Sequence, residues 1–205
     1  MMIKIRPTLA GAVLALGMLT ATFTGPAAAA PDAGPTGLRP AATTHCVSPS
    51  VPAGSTQTSE VAATCFGSFA EAISYATDGT VRLPAGATMV TQQQLDAGRA
   101  SLLGYGQPAL TSVVLGISYK STGWTGDTWT HTGSYGCDTD PDVDWYNAGP
   151  LSGPGGNWDN AIGSALAYSN CTGRYWANAN FWGANIDTGW SGGVMNNASS
   201  SIQWY

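Results

Sequence analysis

One motif occurs twice in the chain, and this internal repeat constrains the fold more than any other feature. Each copy has an aromatic residue, four further residues, a second aromatic, one residue and a glycine; the copies run from Tyr119 to Gly126 and from Trp176 to Gly183. On a straight strand the two aromatics would lie on opposite faces, so a tight turn must separate them if both are to enter one core. The closing glycine suits a positive φ. The repeat therefore predicts two folded hairpins in an all-β region.

The segments around the repeats have the alternation of β-strands. The alternating apolar residues are Val113, Leu115, Ile117 and Tyr119 in one segment, Leu166 and Tyr168 in a second, and Ile202 and Trp204 in a third. A period of two is typical of a strand with one buried face. Gly-, Ser- and Asn-rich turns separate the segments, so we expect a β-sandwich of short strands.

Each hairpin is followed by a polar loop that begins with two Asn or Asp residues and ends in serine. The first loop runs from Asp159 to Ser164 and the second from Asn196 to Ser201. Together with the hairpins, these loops resemble the Greek-key motif of the βγ-crystallin superfamily in its microbial calcium-binding type. The chain is also similar to small secreted actinobacterial proteins of this fold, including the metalloproteinase-inhibitor group. The resemblance covers about residues 112–205 and implies an all-β, double Greek-key sandwich.

In the microbial members of that superfamily the loop binds calcium, and the ligands that this implies are oxygen atoms. The second loop matches the pattern throughout, so the resemblance assigns Asn196, Asn197 and Ser200 to the metal, with Ser200 as the hydroxyl ligand.

The first loop departs from the pattern at one position. Asp159 and Asn160 match it, but Gly163 replaces the hydroxyl residue, so one expected ligand is missing. A second interpretation stays open for both loops, namely that Ser164 and Ser201 only cap the hairpins by hydrogen bonds.

The N-terminus predicts export. Lys4 and Arg6 precede an apolar stretch from Leu9 to Phe23 and a run of alanines, which is the pattern of a secretory signal peptide cleaved after Ala29. We therefore expect a secreted, extracellular protein that is not held in the membrane after cleavage.

The four cysteines are interpreted in that oxidising compartment. Four cysteines allow three pairings, and no spacing typical of a zinc site is present. We favour the pairs Cys46–Cys65 and Cys137–Cys171 because each pair lies within one compositional region.

Composition along the chain suggests four regions. After the signal peptide at 1–29, a Pro-, Ala- and Thr-rich linker is expected over 30–66 and a small accessory region over 67–111. The accessory region has helix-start patterns at Ser68 and Thr91. It makes the N-terminal part a small, irregular α/β region, followed by the βγ-crystallin-like domain over 112–205.

Composition also restricts function. The chain is acidic, with seven Lys and Arg against twelve Asp and Glu, so we expect no nucleic-acid partner. Only two His are present, and no motif supports a catalytic triad or a phosphate loop, which favours a protein that is not an enzyme. We expect a monomer that binds calcium.

Two alternative functions remain open. A protease inhibitor would use the 134–157 insertion as its inhibitory loop, and a glycan-binding module would use exposed tryptophans. The insertion also carries an acidic run from Asp138 to Asp144. Four carboxylates so close together could hold a cation, but we favour a solvated surface loop.

Overall fold

The computed structural model of the protein describes residues 43–56, 62–104, 112–153 and 156–205, which all belong to one compact unit, Pro40–Tyr205. Within these ranges the chain forms ten β-strands and two α-helices. In chain order the elements are β1 (His45–Pro49), β2 (Val51–Pro52), β3 (Thr64–Phe66), α1 (Phe69–Ala76), α2 (Gln92–Gly104), β4 (Val113–Ser121), β5 (Thr125–Gly133), β6 (Trp145–Asn147), β7 (Ser164–Ala167), β8 (Gly173–Asn178), β9 (Trp182–Asp187) and β10 (Ser201–Trp204).

The strands form two five-stranded sheets with Greek-key connections. The first sheet has the order β3-β1-β5-β4-β7 and the second β2-β6-β10-β8-β9. In each repeat a hairpin and a closing strand share one sheet, while the segment between them crosses to the other. This segment is β6 in the first repeat; in the second it is Ser191, which bridges to Ser164. The predicted all-β double Greek-key sandwich is therefore confirmed.

The two repeats have the same hydrogen-bonding register. In the first, Tyr119 lies opposite Ser164 and Ile117 opposite Leu166; in the second, Trp176 lies opposite Ser201 and Arg174 opposite Gln203. Each strand pair therefore places corresponding residues at corresponding positions, and the halves are related by an approximate two-fold symmetry.

The main core lies between the two sheets. Its largest fully buried side chains include Trp158, Tyr175 and Trp204. The Trp204 ring lies against Gly116 and Gly173, which are corresponding positions of the two repeats, and a methyl group at either glycine would overlap the ring. Both glycines are needed for close approach rather than for backbone freedom.

A second core lies on the outer face of the first sheet, under α1 and the start of α2. Ser68 caps α1 by accepting a hydrogen bond from the Glu71 amide, as the capping pattern predicts. The buried residues of α1, among them Phe69 and Ile73, pack with Ile117 and Tyr119 of β4. The helical region thus shares a core with the sheet rather than forming a separate accessory unit.

Residues 45–52 and 64–66 differ from the linker expected over 30–66. They form β1, β2 and β3, and β1 pairs in parallel with β5. Strand pairing across such a distance in the sequence depends on the partner strand and not on local propensity, so composition alone suggested a linker.

Strand β4 also differs from the single buried face that its alternation predicts. Its register with β5 shifts between Val114 and Gly116, which is a β-bulge. Val113 and Leu115 therefore enter the core between the sheets, whereas Ile117 and Tyr119 enter the core under the helices. Both faces of β4 are buried.

Both disulfides form as predicted, Cys46–Cys65 and Cys137–Cys171. Cys46–Cys65 joins β1 to β3, and Cys137–Cys171 ties the segment before β6 to the segment before β8. The predicted signal peptide over 1–29 lies outside the described residues.

Candidate functional site

The two Asx–Ser loops lie against each other through reciprocal hydrogen bonds. The Asn160 amide donates to the Ser199 carbonyl and the Asn197 amide donates to the Ile162 carbonyl, each at 2.9 Å. Asn160 and Asn197 have φ of 53° and 55°, in the left-handed region that asparagine tolerates. The approximate two-fold symmetry thus brings residues far apart in sequence into one loop pair, which we call the paired loops (159–164 and 196–201).

The serine that ends each loop fixes the hairpin of its own repeat. Ser164 Oγ donates to the Ser121 carbonyl at 2.7 Å and accepts from the Trp124 amide at 3.1 Å. Ser201 Oγ makes the corresponding bonds, to the Asn178 carbonyl at 2.6 Å and from the Phe181 amide at 3.0 Å. These two serines have the capping role considered from the sequence.

Two side-chain oxygen atoms of the paired loops are buried without a hydrogen-bond partner in the described part of the chain. They are Asp159 Oδ1 and Ser199 Oγ. The other oxygen of Asp159, Oδ2, accepts from the Asn160 side chain at 3.0 Å. Ser199 is fully buried, and its carbonyl accepts from the Asn160 amide, so it lies next to the Asp159 end of the first loop. A buried carboxylate oxygen without a donor is costly unless a cation or water satisfies it.

The fifth positions of the loops, Gly163 and Ser200, have the same main-chain bonding but different surroundings. Their amides donate to the carbonyls of Tyr119 and Trp176 respectively, each at 2.8 Å. A side chain at Gly163 would meet the backbone of residues 120–122, so the glycine is required there by close approach. Ser200 is 6% exposed, and no hydrogen bond of its hydroxyl group occurs among the described residues.

The remaining sequence-predicted ligands, Asn196 and Asn197, are exposed at the start of the second loop. The structure thus places all five predicted residues in the paired loops, with Asp159 as the one carboxylate. It adds Ser199, which sequence reasoning missed because Ser199 occupies a variable position of the motif. In the sequence, only the hydroxyl group of Ser199 indicates that it could be a ligand.

The acidic run before β6 binds its own backbone. The side chains of Asp138 and Asp140 accept from the amides of Asp140 and Asp142, each at 2.9 Å, and Asp144 accepts from the Asp138 amide at 3.3 Å. Partial burial raises the pKa of Asp144, and the carboxylates of Asp138 and Asp140 raise it further. Residues 138–142 are exposed and form an acidic surface loop that these hydrogen bonds hold in turns.

Much of the 134–157 insertion is integrated into the sandwich. Trp145 and Leu151 are buried in the main core, and β6 pairs with both β2 and β10. Of the described residues in the insertion, those around 138–142 form its most continuous exposed stretch.

Metal sites rich in ionisable ligands do not occur in the residues that the structure describes, since no three His, Cys, Asp or Glu side chains group together there. A cation at the paired loops would therefore be bound by one carboxylate together with hydroxyl, amide and main-chain oxygens. Neither helix in the described ranges has the length and apolar character needed to cross a membrane.

Comparison with known proteins gives a match to a solved structure. It is described as "Evolution of the eye lens beta-gamma-crystallin domain fold", is 20% identical in sequence and has a TM-score of 0.32. The match covers 44% of this chain and 84% of that chain. No protein-family model and no curated protein matches the chain. Similarity at this level gives no information on function, and the Greek-key connectivity described above defines the fold.

Proposed function

We propose that the protein is a secreted, non-enzymatic module that binds calcium at the paired loops. The observation that carries this proposal is the buried Oδ1 atom of Asp159, which has no hydrogen-bond partner in the described chain. The next residue, Asn160, donates its amide hydrogen to the Ser199 carbonyl of the other loop. Calcium accepts six to eight oxygen ligands in flexible geometry, so one carboxylate with hydroxyl groups and carbonyls is a suitable donor set.

The residues that would hold the ion come from both loops. Asp159 supplies the negative charge, Ser199 and Ser200 supply hydroxyl oxygens, and the main chain of the loops supplies carbonyls. Asn160, Asn196 and Asn197 contribute amide oxygens or maintain the loop turns. When bound, calcium would neutralise Asp159 and cross-link the two repeats.

We expect weak binding because only one ligand is charged. Extracellular modules with few charged ligands bind calcium with dissociation constants of about 10⁻⁴–10⁻³ M. A ten-fold excess over that constant stabilises the folded state by roughly 1.4 kcal/mol, since calcium binds the folded chain and not the unfolded one. For a domain of this size the melting temperature should rise by about 3–6 °C.

Thermal unfolding with calcium and with EDTA tests the role of the hydroxyl groups. Ser200→Ala and Ser199→Ala should each remove most of the calcium-dependent rise in melting temperature, because each removes one oxygen from a site with few ligands. Asp142→Asn is the matched control, since Asp142 belongs to the acidic run rather than to the paired loops. A full calcium response in both serine variants, or its loss in Asp142→Asn, would place the ion elsewhere.

A further inference from the structure

The approximate two-fold symmetry allows the outer faces of the two sheets to be compared position by position. On the first sheet the outward residues are Ile117, Tyr119, Leu166 and Tyr168, and they contact the core under the helices. The corresponding residues of the second sheet are Arg174, Trp176, Gln203 and Tyr205. The aromatic rings are therefore kept in both repeats, while the two aliphatic residues are replaced by an arginine and a glutamine.

Among the described residues, no helix or strand covers the outer face of the second sheet. Both described helices pack on the first sheet, and neither contributes to a core with the second. Arg174, Trp176, Gln203 and Tyr205 are all partly accessible, and Asp187 is exposed beside them. We call these five residues the open face.

Polar contacts hold the aromatic rings of the open face in place. Arg174 forms two hydrogen bonds with the Asp187 carboxylate, at 2.7 and 3.1 Å, and its guanidinium lies 4.8 Å from the centre of the Tyr205 ring. The Tyr205 hydroxyl also donates to Asp187, at 2.9 Å. Trp176 Nε1 donates to Gln203 Oε1 at 2.9 Å. The rings are pre-positioned, so binding a ligand to them costs little conformational entropy.

The charge of the open face is balanced, and this decides which kind of ligand it suits. Hydrogen bonding to Arg174 lowers the pKa of Asp187 and hydrogen bonding to Asp187 raises that of Arg174, so the two charges neutralise each other. An anionic ligand would have to compete with Asp187. The open face also suits an apolar protein partner poorly, because Arg174 and Gln203 stand where the first sheet has Ile117 and Leu166. Those two apolar residues are covered by the chain's own helices.

A neutral ligand with an apolar face and many hydroxyl groups meets both requirements. Sugar rings have this character, since their C–H face packs on an aromatic ring and their hydroxyls bond with amide, guanidinium and carboxylate groups. Gln203, Arg174 and Asp187 form one row across three neighbouring strands, about 4.8 Å apart, with Trp176 in the next row. We propose that the open face binds a neutral polysaccharide chain. This inference does not depend on calcium binding.

The test is binding to cellulose, chitin, xylan and a β-1,3-glucan, each measured in EDTA so that the paired loops do not contribute. The protein should bind at least one of these polysaccharides. Trp176→Ala should weaken the association about tenfold or more, as truncation of a central aromatic contact does. Gln203→Ala provides a second variant that should also weaken binding, and it removes less packing. Tyr75→Ala is the matched control, because Tyr75 is an aromatic residue on α1 that is 54% exposed.

The outcomes separate the alternatives. Binding that weakens in Trp176→Ala and Gln203→Ala, with circular dichroism unchanged, and that persists in Tyr75→Ala supports the proposal. Absence of binding to all four polysaccharides would overturn it, as would unchanged affinity in a folded Gln203→Ala variant. Binding that is absent in EDTA and appears only when calcium is added back would also overturn it and assign the sugar to the paired loops instead. A dimer that dissociates on Gln203→Ala substitution would show that the face binds a second copy of the chain.

Discussion

His131 lies in the middle of the core between the two sheets and is fully buried. Its Nε2 atom forms a hydrogen bond with Ser118 Oγ at 2.9 Å, and Ser118 Oγ in turn contacts the Tyr175 hydroxyl at 2.9 Å. The rings of Trp129 and Trp204 pack near the imidazole ring, at 4.5 and 5.2 Å between ring centres. Burial lowers the pKa of His131 to about 3, so the folded protein holds this ring neutral.

This histidine predicts that the protein loses stability in mild acid. Below the ordinary pKa of 6.5, His131 is protonated in the unfolded chain. In the folded chain it stays neutral until the pH is near 3. The free energy of unfolding should therefore be unaffected by His131 above pH 6.5 and fall by up to roughly 1.4 kcal/mol per pH unit below it. Burial also lowers the pKa of His45, which adds to the same trend.

Urea unfolding between pH 5 and 7.5 measures this slope. His131→Gln should flatten it even if the variant is less stable overall, because glutamine does not titrate. His45→Gln serves as the comparison, and it should have the smaller effect because the Asp127 carboxylate opposes the lowering of the His45 pKa by burial. A His131→Gln variant with the native slope would assign the pH dependence to other groups.

At the scale of the elements, the serine at the start of each closing strand connects that strand to a folded hairpin. Ser201 is fully buried, donates to the hairpin carbonyl of Asn178 and accepts from the amide of Phe181. Phe181 has a φ of 60°, so this turn is unfavourable for an aromatic residue without an external contact. The serine hydroxyl supplies that contact.

Ser201→Ala should therefore destabilise the fold by about 1–3 kcal/mol, since it removes two part-buried hydrogen bonds, from the Phe181 amide and to the Asn178 carbonyl. Ser164→Ala should have an effect of similar size, because Ser164 makes the corresponding bonds in the first repeat. Ser152 is exposed and provides the control substitution to alanine. Equilibrium urea unfolding distinguishes these cases, and loss no greater than in Ser152→Ala would show that the turns do not depend on the serines.

The elements that could be predicted from the sequence are those with a local signal. The hairpins follow from the aromatic and glycine spacing, α1 from the Ser68 and Glu71 capping pattern, and the disulfides from the composition of two regions. The bulge in β4 has no comparable signal. Gly116 lies at the bulge, but the sequence does not show why a glycine is needed there. The reason is the Trp204 ring of the other repeat, which leaves no room for a side chain.

At the scale of the whole molecule, the packing of the two repeats brings together two loops that lie far apart in the sequence. The first loop lacks a hydroxyl at Gly163, and by itself it is an incomplete cation site. The second loop has its hydroxyls but no carboxylate. Comparing each loop separately with the calcium-binding pattern therefore makes the second loop the better candidate ligand set. In the folded chain each loop bonds to the other, Asn160 to Ser199 and Asn197 to Ile162, so the carboxylate of one loop and the hydroxyls of the other belong to one loop pair.

The outer faces of the two sheets differ although the repeats correspond position by position. One is covered by the helices of residues 69–104, and the other carries balanced charges and partly accessible aromatic rings. Local composition could not predict this difference, because Tyr119 and Trp176 look equivalent in the repeat. It depends on which sheet the N-terminal region covers.

Calorimetric titration of calcium into the native protein and into Asp159→Asn tests the central claim most directly. Asparagine keeps the shape of the side chain and removes its charge, so the fold should be preserved while the only carboxylate of the paired loops is lost. We expect the native protein to bind with a dissociation constant of about 10⁻⁴–10⁻³ M, and Asp159→Asn to bind at least tenfold more weakly, a loss of about 1.4 kcal/mol. Native affinity in a folded Asp159→Asn variant, or absence of binding in the native protein, would contradict a calcium site at the paired loops.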